Sequence, residues 1–80
     1  MAAKMDIYNY SSDQAMNQVT MSNCDASSVD DLVYWVEQSD GNESSGMLGP
    51  KKPNSVSGST LTLSDKNMSN VRRIIVMQKG

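Results

Sequence analysis

Scarcity of large apolar side chains is the feature that most limits how this chain can fold. Its strongly apolar aliphatics are Leu32, Leu48, Leu61, Leu63, Ile7, Ile74, Ile75 and seven valines; phenylalanine is absent and Trp35 is the only tryptophan. Leu, Ile, Val and Phe together fall below the roughly 20% that separates ordinary globular chains from disorder-prone ones. Disorder also calls for a high net charge, and here it is only −2. At 80 residues the chain makes one domain at most, and so short a chain buries a smaller fraction of its surface than a longer one. The expectation is a single small domain over residues 1–80. Either it stands alone with a thin core, or it completes that core against a partner or a second copy.

The usual staples of small scaffolds are missing. One cysteine, Cys24, allows no intrachain disulfide, and with no histidine a structural zinc site of the ordinary kind cannot be assembled. Oligomerisation or complex formation is then the natural source of extra stability.

Along the chain, Met5-Asp6-Ile7-Tyr8-Asn9-Tyr10 sets Ile7 against Tyr8 and Tyr10 in strand-like alternation. Ser12 could cap a short helix through Asp13–Gln18, while Gln18–Ser22 alternates like a strand. Ser28–Glu37 is the best apolar segment and reads two ways. As a helix it has Ser28 at the cap, acids in the first turn, and Val29, Leu32, Val33 and Val36 on one face. As a strand it has a Leu-Val-Tyr-Trp-Val centre leading into the turn-like Ser39-Asp40-Gly41-Asn42. The strand is preferred, because the helix would be barely three turns long. Residues 38–59 are Gly, Ser, Asn and Pro broken only by Met47-Leu48 and Val56, which reads as a long polar loop or arm. The chain closes with Ser59–Leu63 and Val71–Met77, two strand candidates separated by the turn-like Ser64–Asn67 and most simply paired as a hairpin. The fold class expected is mainly β, a small antiparallel sheet or sandwich with a long polar loop. The alternative is α+β, if residues 28–37 are helical.

Charge is divided unevenly. Asp6, Asp13, Asp25, Asp30, Asp31, Glu37, Asp40 and Glu43 occupy a stretch with no Lys or Arg, and Lys51, Lys52, Lys66, Arg72, Arg73 and Lys79 then stand against Asp65 alone. Within one molecule the two fields can partly cancel in exposed pairs worth little each. Between molecules, an acidic face can meet the basic face of another copy or of a charged partner. Lys51, Lys52, Arg72, Arg73 and Lys79 could instead contact phosphates, and an acidic half could imitate nucleic acid.

Catalysis is disfavoured by specific absences. Without histidine the commonest general base and metal ligand are gone. Cys24 sits beside Asp25 with no base near it in sequence, which raises a thiol pKa. Asp30 and Asp31 are adjacent and so point in different directions. Asp40-Gly41-Asn42-Glu43-Ser44 meets only the first positions of a calcium loop. No catalytic residue, cofactor or metal site is expected.

The function expected is protein–protein interaction, as a structural or accessory subunit of a larger assembly such as a virus or phage particle. The partner is a protein or a second copy, and the contacts fall on Lys51, Lys52, Arg72, Arg73, Ile75, Met77 and Trp35. A polyanion- or nucleic-acid-binding module using the basic C-terminal half is the alternative. A secreted glycan-binding domain, for which the Asn-x-Ser triplets at Asn9, Asn42 and Asn67 would matter, comes third. No apolar run is long enough to span a bilayer, and no signal-peptide stretch is present. The expected location is therefore cytoplasmic or within a particle.

Overall fold

The computed structural model describes residues 3–40, 43–64 and 69–80. Alternation of inward and outward residues builds two antiparallel sheets around one core. The larger contains β1 (Lys4–Gln14), β3 (Leu32–Asp40), β4 (Glu43–Lys51) and β7 (Val71–Gln78), in the order β1-β7-β3-β4. The smaller contains β2 (Gln18–Thr20), β5 (Ser55–Ser57) and β6 (Thr60–Thr62), in the order β2-β6-β5. The fold is mainly β, as its residues suggest.

The core lies between the sheets. From the larger come Leu32, Tyr34 and Val36 of β3 and Val71, Ile74 and Val76 of β7; from the smaller come Val19 and Leu61, joined by Leu63 and by Met21, Cys24 and Ala26 of the loop after β2. Tyr34 is fully buried, and its hydroxyl lies 2.8 Å from Ser64 Oγ and accepts the Ser64 N–H, tying the two layers at their polar margin. Total exposed surface is 4684 Å², close to the roughly 4,700 Å² that a compact monomer of this size presents. The core is small, yet it is closed.

Two buried polar side chains organise the loop of residues 21–26, and nothing in the sequence pattern marks them. Asp6, on the inward side of β1, accepts the backbone N–H of Ser22, Asn23 and Cys24 and the hydroxyl of Ser22, at 2.9–3.2 Å. Gln78, at the end of β7, accepts the N–H of Asp25 and Ala26 at 2.7 Å through one oxygen and donates to Asp25 Oδ1 at 3.0 Å. A loop without regular structure can be buried only if its backbone donors are met. These two side chains meet five of them.

Three expectations resolve locally. The strand at residues 5–10 is the middle of the longer β1. Between the two readings of residues 12–22, the strand forms as the short β2. For residues 28–37, Ser28 does cap, its Oγ accepting the Asp30 N–H at 3.2 Å, but it starts only one 3₁₀ turn, Val29–Asp31, before β3 begins. The β-branched and aromatic run Leu32–Val36 then takes the extended form.

Two expectations are corrected. Residues 38–59 are not a long polar loop or arm: β4 pairs with β3 as the edge of the larger sheet, and β5 pairs with β6. An edge strand needs little burial, since it is held by a ladder of backbone hydrogen bonds on one side, and it tolerates Pro50. The β5–β6 hairpin turns through Gly58-Ser59, with Gly58 at φ +60°. Nor do Ser59–Leu63 and Val71–Met77 form a hairpin. β6 pairs with β2 and β5, whereas β7 lies between β1 and β3. The turns expected at Gly41-Asn42 and after Ser64 fall largely outside the described residues.

Candidate docking face

The larger sheet has two faces, and only one covers the core. Paired residues in an antiparallel ladder point the same way, so register reads the other face directly. Ile7, Ile75 and Trp35 form one row across β1, β7 and β3, and Met5, Met77 and Val33 form the next. A third row, Asn9, Arg73 and Glu37, closes the apolar rows with polar groups. None of the described residues covers them fully: Ile7 is 54% exposed, Met5 43% and Met77 37%. Met5, Trp35, Ile75 and Met77 line a shallow, almost wholly apolar depression.

Trp35 owes its seat to β4. Between the pairs Tyr34–Lys51 and Val36–Leu48 the register gains one residue on β4, a bulge at Gly49-Pro50. Gly49 holds φ +141°, and a Cβ there would lie 2.8 Å from the Tyr34 carbonyl oxygen and 2.9 Å from Trp35 Cδ1. Only glycine lets β4 run this close to the indole.

Of the residues expected to meet a partner, Trp35, Ile75 and Met77 are brought together on this face, and Arg73 borders it. The others go elsewhere. Arg72 turns to the opposite side of β7, where its guanidinium donates to the carbonyls of Tyr10 at 3.4 Å and Ser11 at 3.3 Å. Lys52 pairs with Asp30 at 2.6 Å, and Lys51 lies opposite Tyr34 on β4. Arg72 and Arg73 therefore cannot act side by side on a flat polyanion. Among the described residues, the exposed pair Lys52–Asp30 joins the basic portion to the acidic one, and a second, Lys4–Asp25 at 2.8 Å, lies within the N-terminal part. Met5, Ile7 and Val33 escaped sequence reasoning, though the alternation of Met5, Ile7 and Asn9 against Asp6, Tyr8 and Tyr10 was the available signal.

Among the described residues no cluster of three or more Cys, Asp or Glu side chains could hold a metal ion. Cys24 is buried, its thiol 3.8 Å from the Val76 carbonyl oxygen. Burial first, and then the neighbouring Asp6 carboxylate, push its pKa up to about 11. The thiol is expected to resist a disulfide reagent such as Ellman's at pH 8 in the folded protein and to react at once in denaturant. Rapid labelling under native conditions would show that the loop of residues 21–26 opens readily.

The fold and this face define a small two-sheet β domain whose larger sheet is covered by the described residues on one side only. No protein-family model, curated protein or solved structure matches the chain.

Proposed function

We propose that the chain is a non-catalytic protein-binding domain, a structural or accessory subunit of a larger assembly, and that the uncovered face of β1, β7 and β3 is its contact surface. One observation carries the reading: Met5, Ile7, Val33, Trp35, Ile75 and Met77 form a contiguous apolar area on the face turned away from the core. Such contiguous patches with a polar rim are characteristic of protein contact sites. Methionines and a lone tryptophan suit an adaptable protein surface. The dispersal of Lys51, Lys52, Arg72 and Arg73 gives a phosphate-binding stripe no comparable support.

The test is capture from the native source with tagged wild-type chain and a Met77→Glu variant. Met77 is exposed, so the change should leave stability within about 0.5 kcal/mol. Wild type should retain a protein in stoichiometric amount, its own untagged copy included, and the variant should lose at least about 10-fold of it. Equal retention by both would remove this face as the contact.

A further inference from the structure

Resting on that reading, we infer that the occupant of the face is a second copy of this chain, docked about a two-fold axis that runs parallel to the strands between β7 and β3. Charge is arranged around the apolar rows in a self-complementary way. β7 carries Arg73 at one end of the patch, and Lys79 follows just beyond the other; β3 carries Glu37 at the first end and follows Asp31 at the second, where Asp30 is already paired with Lys52. A positive column thus lies beside a negative one.

The stated axis lays β7 of one copy over β3 of the other at the same height. Arg73 then faces Glu37 of the partner subunit, Ile75 faces the partner's Trp35, and Met77 faces the partner's Val33. Lys79 comes over the partner's Asp31. Shifting the axis onto β7 would stack Arg73 on its own copy. Turning it across the strands at the Ile75 row would set Arg73 on the partner's Met77 and Glu37 on the partner's Val33. Of these three face-to-face two-folds, only the first sets Arg73 on Glu37 of the partner subunit while keeping the apolar residues of β7 on those of β3.

Arg73 has a hand free for this. Its Nε–H goes to Asn9 Oδ1 at 2.8 Å, and among the described residues no ion pair joins it to Glu37 beside it. Four strands about 4.8 Å apart and some seven residues of about 3.4 Å give roughly 900 Å² buried over both copies. That is below the usual range for a stable complex, so the dimer is a reversible one, forming between roughly 10 μM and 1 mM.

The experiment is sedimentation of wild type, Arg73→Glu, Glu37→Arg and an equimolar mixture of the two variants. Wild type should shift from monomer to dimer with concentration, and Trp35 emission should move to the blue in step. Each single variant should dimerise at least about 10-fold more weakly, since both of its charge contacts become repulsive. The mixture should recover wild-type association as a 1:1 heterodimer. At one contact the two substituted side chains meet with opposite charge, and at the other native Glu37 meets native Arg73. The like charges created within each copy are unchanged by mixing, so recovery reports the contact between copies. Wild-type chain that stays monomeric, without an emission shift, up to about 1 mM would overturn the proposal. So would a mixture no better associated than its components. If capture through Met77 then retains a different protein, the docking reading survives without self-association; if it retains nothing, both fall.

Discussion

Replacing Asp6 by alanine is expected to lower the unfolding free energy by about 3–5 kcal/mol, as a fall in the urea midpoint at pH 7. The carboxylate is 4% exposed and accepts three backbone N–H groups and one hydroxyl from the loop of residues 21–26. Removing it leaves the Cys24 N–H buried and unmet and takes the acceptor from the half-buried donors of Ser22 and Asn23; a buried donor left without a partner costs about 1–3 kcal/mol, a half-buried one less. Asp6→Asn should do little better, because one side of the amide presents N–H to N–H.

The same residue gives a pH signature. Burial by itself would raise the Asp6 pKa; the N–H groups of Cys24 and Asn23 and the Ser22 hydroxyl outweigh it and hold the carboxyl below its ordinary value. As pH falls, the unfolded chain takes up the proton first, so protonation favours unfolding. The contribution is complete above the ordinary aspartate pKa of about 3.9 and is lost as pH drops through the lower folded value. Asp25 and Asp30 are also held low, by Lys4 and Lys52, but these pairs are exposed and screened. Wild type should therefore lose stability below about pH 4, and Asp6→Asn should change much less there. Parallel acid profiles for the two proteins would assign the acid sensitivity elsewhere.

Leu61→Ala should be almost as damaging, at about 2–5 kcal/mol. Leu61 is fully buried on the central strand of the small sheet, between the three-residue strands β2 and β5. It is the main anchor of that sheet, since Val19 is the inward residue of β2 and Val56 of β5 is only partly buried. Beyond the lost burial, the small sheet should open ahead of the large one. Hydrogen exchange should then speed most at Val19 and Leu61 and least at Trp35 and Ile75, where β3 and β7 pair. Uniform acceleration would mean that the two sheets unfold as a single unit.

The parts of the fold legible in the sequence are those fixed by neighbours along the chain. β-branched and aromatic residues at Leu32–Val36 and Val71–Met77 marked strands. Ser28 marked a turn start, although how many helical turns followed depended on packing. β4 was illegible because an edge strand is stabilised by the backbone ladder of β3, which Ser, Gly and Pro join without an apolar pattern. Of the candidate face, Trp35, Ile75 and Met77 were legible as expected contacts, through the strand candidate Val71–Met77 and the single tryptophan. Asp6 and Gln78 could not be recognised as buried, since their donors lie 16 or more residues away.

By itself, then, the sequence favoured a β class, left a small core that no intrachain disulfide can staple, and set the alternation that gives each strand two faces. Only the tertiary structure decided which strands adjoin and which face stays open. The final two strands could have paired locally, but Leu61 and the inward Ile74 and Val76 must meet across the core, which requires β6 and β7 to lie in opposite sheets. Placing β7 between β1 and β3 then gathers outward residues from three distant segments into one apolar face. Contacts of such sequence separation are set by burial of the whole, and local propensity carries no record of them.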